Sequence, residues 1–307
     1  MINQKALPAK EKFIPVTPET DSRKLHSMKA RNILLNTASY LLLAFLSIVW
    51  VLPIVGVVYT SLRNEPDQGT SLYPEKGLTF NNYTNLLTST TYPFLKWFAN
   101  TLIVAIFTML ISTIFVLAVA HTMSRLRFKS RKRMMNINLI LGMFPGFMSM
   151  IAIYNILKAV GISGTLASLV LIYSAASGSG FYIAKGFFDT VSKSLDEAAR
   201  IDGANNAKVF FKIILPLSKP IVVYTILTSF MGPWMDYIFS SVILRDKIDN
   251  YTVALGLYNM ISTRQGMVDN FTMFFAGSVM ISIPIMILFL FTQKYYVAGV
   301  TGGSVKG

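Results

Sequence analysis

DEAARIDGANNAKVFFKIILP, residues 196 to 216, is a polar stretch between long hydrophobic segments. At its start, Ser194 and Glu197 have the S-x-x-E spacing of a capping box, in which both side chains satisfy backbone donors at a helix start. Asp196 also suits the positive end of the helix dipole there. Gly203 can close this helix in a left-handed conformation. The spacing therefore predicts a short helix from Ser194 to Gly203.

The second half of the stretch predicts another short helix, which Asn205 or Asn206 can cap. Lys208 and Lys212 lie four residues apart on one face of it. Apolar side chains recur at helical spacing on another face: Val209, Phe210, Ile213 and Ile214. We therefore predict two short helices that are joined at Gly203 and lie against the membrane surface.

The composition indicates that lipid surrounds most of the chain. Of 307 residues, 53% are hydrophobic and 14% charged, whereas soluble proteins average about 25% charged. The net charge of +14 does not indicate nucleic-acid binding, because Lys and Arg are confined to segments between apolar runs. The chain has no cysteine, which excludes disulfides, Cys-ligated metals and thiol nucleophiles. The two histidines, His26 and His121, are expected to be solvated or interfacial.

Six segments are long and apolar enough to cross a bilayer core, which takes about 20 residues. They predict an all-α polytopic membrane protein with six transmembrane helices. Their approximate bounds are 33–62, 97–124, 134–157, 165–185, 218–243 and 271–293.

The basic residues predict the orientation of these segments. With the N-terminus inside, the inner segments carry 21 of the 28 Lys and Arg residues and the outer segments carry 7, which satisfies the positive-inside rule. The tails 1–32 and 294–307 and the polar loop 189–217 are therefore predicted to be cytoplasmic. Residues 1–32 are polar without aliphatic periodicity, and we predict a flexible tail.

One carboxylate, Asp236, interrupts the apolar segments, and it lies between Trp234 and Tyr237. A carboxylate at that depth is costly unless it faces protein or a water-filled cavity. Asp236 could line a transport pathway, as a proton relay or a sugar hydrogen-bond acceptor with the aromatic rings stacking on a sugar. It could instead be an interior residue that is paired with a neighbouring helix. Both interpretations stay open at this point.

The polar loop resembles the EAA loop of bacterial ABC-importer permeases, whose pattern is EAA, three residues, Gly, nine residues and I-x-L-P. All seven fixed places are filled here, by Glu197, Ala198, Ala199, Gly203, Ile213, Leu215 and Pro216. In that family the loop sits in a groove of a separate ATPase and carries its closing motion to the membrane helices. The resemblance implies that Glu197 is the charged contact and that the two alanines allow close approach. Asp202 is assigned to the same surface.

From about residue 40 onward, the chain resembles the smaller permease subunit of maltose and maltodextrin importers. The similarity is carried by Leu62-Arg63, Met143-Phe144-Pro145, Leu244-Arg245-Asp246 and the ending at 293–307. Gly-rich tails that end in VKG reach into the ATPase dimer in that family. The resemblance therefore implies, against the alternative of a frayed terminus, an ATPase contact by Gly302, Gly303, Val305, Lys306 and Gly307.

The outer loop 245–270 carries several apolar residues that could form an amphipathic turn: Leu255, Leu257, Tyr258 and Ile261. The resemblance implies that this loop enters the cleft of an extracytoplasmic sugar-binding protein. Folding back on the helix ends is the alternative.

The resulting hypothesis is a permease subunit of an ATP-driven oligosaccharide importer in the cytoplasmic membrane, with maltodextrin favoured and galacto-oligosaccharide or raffinose-type sugars as alternatives. The implied partners are a second homologous permease, a dimer of ABC ATPases and the binding protein. No G-x-x-x-x-G-K-[ST] stretch occurs, so ATP and Mg are expected on the ATPase and no cofactor on this chain. A secondary transporter would rest on Asp236 alone, and an intramembrane enzyme would lack its nucleophile and base.

Overall fold

The computed structural model describes residues 18–65, 76–143 and 146–302, and within these ranges the regular elements are helices. The helices are, in chain order, α1 (Pro18–Ser61), α2 (Asn81–Thr88), α3 (Phe94–Arg125), α4 (Arg131–Gly142), α5 (Gly146–Ala159), α6 (Leu166–Ala176), α7 (Phe181–Thr190), α8 (Lys193–Ile201), α9 (Asn206–Val209), α10 (Leu215–Leu217), α11 (Lys219–Met235), α12 (Ile238–Leu244), α13 (Val253–Ile261), α14 (Arg264–Asp269) and α15 (Phe271–Gly302). Short 3₁₀ turns lie at Ser177–Gly180 and Ile248–Asn250, and a π-helical turn lies at Phe210–Ile214.

Helix α1 begins at Pro18, within the segment 1–32 that the composition predicted to be flexible. The prediction is wrong for residues 18–32, because proline suits the first position of a helix and the helix then runs unbroken into the apolar segment. Residues 1–17 lie outside the described part. From 31 to 56 every side chain is exposed although most are apolar, as lipid contact requires. This segment up to Gly56 forms a unit of its own.

The second unit, from Val57 onward, is organised around α3, which packs against α6, α7, α11 and α13. An outer hydrophobic cluster surrounds Trp97 and Trp234 and includes the buried Leu244 and Leu257. An inner cluster surrounds Ala120 near the other end of α3. One long helix therefore supplies the core at both ends of this unit.

Within the described residues, three helices are long and apolar enough to cross a membrane: α1, α3 and α15. Two bent pairs also qualify when each is taken as one span. The first is α6 with α7, bent by 44° at the small residues 177–180, and the second is residues 206–217 with α11, bent by 88°. The segment 134–157 is divided between α4 and α5. The count of six spans thus stays a prediction.

The predicted segment 218–243 is not one helix. It divides between Met235 and Ile238 into α11 and α12. The reason is Asp236, whose carboxylate accepts hydrogen bonds from the backbone N–H groups of Phe239 and Ser240 and so caps α12. Asp favours this N-terminal position over a helix interior.

The outer loop is fixed to the start of α3 by side chains that bind its backbone. Trp97 Nε1 donates to the carbonyl of Ile248, and Asn100 Nδ2 donates to the carbonyls of Asp249 and Tyr251. Thr101 Oγ1 accepts from the N–H of Val253. Lys96 pairs with the Asp249 carboxylate and holds the pKa of that carboxyl below its ordinary value. The start of α13 is therefore held against α3.

Helix α13 turns its apolar side chains inward. Leu255 and Leu257 are buried, whereas Tyr258 is half exposed. The expectation that this apolar set enters a partner's cleft is therefore wrong for the two leucines, and the alternative of folding back on the helix ends is confirmed for them. Burying a large apolar side chain contributes about 1.5–3 kcal/mol to stability, which favours that packing. The neighbouring α14 is the exposed part of the loop, with Met267 and Val268 open to solvent.

Gly256 of α13 faces Trp97, and a Cβ there would lie 2.1 Å from the indole ring. We predict that Gly256→Ala destabilises the assembled transporter by about 1–3 kcal/mol, the usual cost of overpacking a filled core. The measurement is the apparent melting temperature of the purified complex. The matched control is Gly186→Ala in α7, where an added Cβ meets nothing within 4 Å. Equal melting temperatures for the two variants would contradict the close packing of α13 on α3.

Candidate functional site

The polar loop forms two short helical segments, as predicted, but its first cap differs. Helix α8 starts at Lys193, and Ser192 is its N-cap, with Oγ accepting from the N–H of Ser194. The capping box at Ser194 and Glu197 is therefore wrong. Glu197 lies on the second turn of α8 and is exposed, so it is available for a partner.

The neighbouring acid, Asp196, has the opposite environment. It is buried, and its Oδ2 lies 3.3 Å from Nε of Arg125, which is itself buried. Arg125 also donates hydrogen bonds of 2.8 Å to the carbonyls of Phe188 and Val191. The last residue of α3 thus holds the end of α7, the first turn of α8 and the linker between them.

The prediction that Gly203 closes the first helix is confirmed. Gly203 has φ +78°, a conformation that glycine adopts without the steric cost of a side chain. Its N–H donates to the carbonyl of Arg200, and the N–H of Ala204 donates to that of Ala199. This is a Schellman motif. Asn205, the first of the two predicted caps, then caps α9 by accepting from the N–H of Lys208.

The second segment is helical from Asn206 to Leu217, with a π-helical turn at its centre. Its predicted apolar stripe turns inward, with Val209 and Ile214 fully buried in the inner cluster. Phe210 packs on His121, with 4.8 Å between the ring centroids. His121 is buried, so the expectation of a solvated residue is wrong, and that of an interfacial one stays a prediction. His26 lies outside the residues whose side chains are described.

One exposed part of the loop combines Glu197 with apolar side chains. Ile201 is 87% exposed, Phe211 62% and Leu195 43%, and Ala198 is exposed beside Glu197. We call this set, Leu195, Glu197, Ala198, Ile201 and Phe211, the coupling face. Among the other predicted coupling residues, Asp202, Gly203 and Pro216 are exposed, and Ala199, Ile213 and Leu215 are half-buried.

An apolar side chain that is 87% exposed next to a charged loop is not explained by packing within this chain. Exposed apolar patches that are rimmed by polar residues mark interaction sites. Sequence reasoning placed the EAA residues here but did not identify Ile201 and Phe211, whose exposure depends on how the two helices are oriented.

The predicted C-terminal contact falls mostly outside the described residues. Gly302 is the last residue of α15. Gly303, Val305, Lys306 and Gly307 lie beyond it, and their ATPase contact stays a prediction.

The three candidate pathway residues make different contacts. Trp234 is buried against Phe98 and Phe230. Asp236 Oδ2 accepts a 2.6 Å hydrogen bond from the Tyr173 hydroxyl. Tyr237 packs against Tyr258 with the rings tilted by 43° and their centroids 4.1 Å apart. Within the described residues, no three His, Asp or Glu side chains come together as a metal site would require.

Comparison with protein families decides the class. Residues 117–301 match the family described as the binding-protein-dependent transport system inner membrane component. The chain belongs to this family. It is therefore a multi-pass membrane component of a transport system and not an enzyme. The matched region contains the polar loop and the buried inner end of the core.

Relatives align over nearly the whole chain. The galactooligosaccharides transport system permease protein GanQ of Bacillus subtilis is 36% identical, over 92% of this chain and all of that protein. The maltodextrin transport system permease protein MalD of Streptococcus pneumoniae is 35% identical, over 92% of this chain and 99% of that one. A crystal structure of a bacterial ABC transporter for alginate import matches the fold, with a TM-score of 0.72, 22% identity and coverage of 87% of this chain and 98% of that one.

Asp196 and Glu197 are adjacent acids with different surroundings, which yields a direct test. Removing one partner of a buried ion pair costs about 3–5 kcal/mol because the other charge stays buried. We predict that Asp196→Ala strongly lowers the melting temperature or the yield of the assembled transporter, and that Glu197→Ala leaves both unchanged. The measurement is thermal unfolding of the purified complex followed by fluorescence. Equal effects of the two substitutions would refute the structural role of Asp196.

Proposed function

We propose that this chain is the smaller permease subunit of an ATP-driven importer of oligosaccharides, forms half of the translocation pathway and couples to a separate ATPase through the coupling face. The observation that carries the proposal is the coupling face itself. It has one free carboxylate, a small residue for close approach and a protruding isoleucine, all held on α8 by a capped and closed helix.

The way in which α8 is anchored explains how force could pass through it. A partner that pushes on Glu197 or Ile201 moves a helix whose first turn is tied through Asp196 to Arg125 of α3. Arg125 also binds the backbone at the end of α7. Movement of the coupling face is therefore transmitted to two membrane helices together and is not absorbed by a flexible linker.

Our first test of coupling is a charge reversal. Glu197→Arg leaves the buried Asp196–Arg125 pair in place but replaces the exposed acid by a base. We expect hydrolysis of ATP by the reconstituted assembly, stimulated by the loaded binding protein, to fall at least about tenfold, because like charges at a contact cost more than the attraction that they replace. For the conservative variant Glu197→Gln we expect a smaller fall in stimulated ATP hydrolysis. Unchanged stimulation in Glu197→Arg would refute the coupling role.

The apolar part of the coupling face has its own test. We expect Ile201→Ser to reduce co-purification of the ATPase, because a buried isoleucine contributes about 1.5–3 kcal/mol to a contact. The matched control is Ile248→Ser in the outer loop, where the side chain is 50% exposed. Equal recovery of the ATPase with both variants would contradict docking at Ile201.

The remaining parts of the proposal follow from the family. The partners are a second homologous permease, a dimer of ATPases that bind ATP and Mg, and an extracytoplasmic binding protein. The solved alginate importer of this fold has been obtained with an oligosaccharide-bound periplasmic protein, which supports the last of these. The proposed topology has six spans with the coupling face and both termini in the cytoplasm, as the charge distribution favours.

The proposed substrates are neutral oligosaccharides, with maltodextrins first and galacto-oligosaccharides second. The relatives for these two sugars are 35% and 36% identical to this chain, so identity alone does not rank them. The measurement is the melting shift of the cognate binding protein with maltotriose, a β-galactotriose, raffinose and an alginate trisaccharide. We expect the largest shift with maltotriose. The largest shift with the galactotriose would make the second candidate the substrate, and a shift with alginate alone would contradict a neutral sugar.

A further inference from the structure

A groove in the membrane part of the second unit is lined by hydroxyl groups. It lies between α3, the break between α6 and α7, and α11, and its volume is about 340 Å³, within the roughly 300–1,000 Å³ of small-molecule sites. Six of its hydroxyl residues are Thr108, Ser112, Ser177, Thr225, Thr228 and Ser229. Among the described residues, none that lines it is charged.

The floor of the groove carries hydroxyls without partners. Thr108 is 2% exposed and Ser112 is fully buried, and neither hydroxyl has a hydrogen-bond partner among the described residues. Thr225 and Thr228, across the groove, donate to carbonyls of their own helix. Buried hydroxyls in an apolar surrounding normally find a partner, because leaving them unpaired is costly. These two hydroxyls therefore keep hydrogen-bonding capacity for a polar occupant of the groove.

A second groove along α3 is apolar. The neighbouring groove between α3 and α6 is lined almost entirely by apolar side chains, among them Ile103, Phe107 and Phe115. The hydroxyl-bearing residues Thr108 and Ser112 line the polar groove and not the apolar one, and Thr113 lines neither. The segregation indicates that one face of α3 meets lipid or an apolar helix and that the other meets a polar occupant.

The position of the groove also fits passage across the membrane. Thr108 and Ser112 lie at the middle of the 32-residue α3, far from either interface. At the same level the fourth apolar segment breaks into the 3₁₀ turn 177–180, whose Ser177 and Gly180 line the groove. Irregular backbone at membrane depth is tolerated where it lines a cavity or is covered by protein.

We infer that this hydroxyl groove is the surface through which the chain contacts the transported sugar, and that it selects neutral over acidic oligosaccharides. A pyranose presents hydroxyl groups that both donate and accept, which matches the dual capacity of Ser and Thr hydroxyls. An acidic sugar would instead require a cation, and no Lys or Arg of the described part of the chain lines the groove. The inference rests on the proposed function and adds to it the contact residues and the charge class of the substrate.

The test removes the two floor hydroxyls without changing side-chain volume much, in Thr108→Val combined with Ser112→Ala. The assembled transporter is reconstituted in vesicles, and uptake of labelled maltotriose and β-galactotriose is measured with ATP hydrolysis. We expect the sugar carried per ATP hydrolysed to fall at least about fivefold, since one lost hydrogen bond corresponds to about that factor, while stimulated hydrolysis changes less than about twofold. An unchanged ratio of sugar to ATP would overturn the inference.

Thr113→Val is the matched control. Thr113 lies on the same helix, its hydroxyl is also buried without a partner, and it does not line the groove. We expect it to keep the ratio of sugar to ATP of the unaltered transporter. An equal fall in Thr113→Val would show a general effect on α3 and overturn the inference.

A second measurement does not depend on the sugar. Because the chain has no cysteine, Ser229→Cys at the rim introduces a single thiol into it. In the assembled transporter this thiol is expected to react with a charged, membrane-impermeant thiosulfonate, whereas Ser282→Cys, at an exposed site of α15 outside the groove, is not. If Ser229→Cys does not react, the second permease covers the groove and excludes water from it, and the inference is overturned. Vesicles that carry neither sugar would contradict the proposed function, and the thiol reaction would still decide whether the groove holds water.

Discussion

The burial of one guanidinium group, that of Arg125, determines the inner half of this structure. A buried charge is tolerated only where paired charge and hydrogen bonds replace the water that it loses. Arg125 obtains a paired charge from Asp196, and its Nη2 donates hydrogen bonds to the carbonyls of Phe188 and Val191. Three successive parts of the chain must therefore meet at the end of α3. The position of α8, and with it the coupling face, follows from this requirement.

Helix α3 links this inner junction to an outer one. At 32 residues it is roughly 48 Å long, and Trp97, Asn100 and Thr101 hold the outer loop at its other end. At both junctions, side chains of α3 form hydrogen bonds with backbone groups of the partner segment. Such bonds do not depend on the side chains of that segment. One continuous helix thus connects α8 to the loop 245–270.

The sequence predicted those features that depend on local chemistry. Gly203 and Asn205 act as foreseen because a left-handed residue and a cap are set by near neighbours. The start of α8 was predicted wrongly because the N-cap, Ser192, directly follows Val191. The carbonyl of Val191 accepts a hydrogen bond from Arg125, which lies 66 residues earlier in the chain. Leu255 and Leu257 were expected to face a partner because apolar periodicity does not reveal what a helix packs against. The exposure of Ile201 likewise depends on tertiary orientation and had no local signal.

Asp236 shows how the fold accommodates a carboxyl group within an apolar segment. Its carboxylate accepts from the N–H groups of Phe239 and Ser240 and from the Tyr173 hydroxyl. These three hydrogen bonds hold the carboxyl group against its own chain. Tyr173, which also lines the hydroxyl groove, donates its hydroxyl to Asp236. The groove is left with hydroxyl groups alone, and a surface of that kind binds and releases an uncharged sugar more readily than one with a fixed charge.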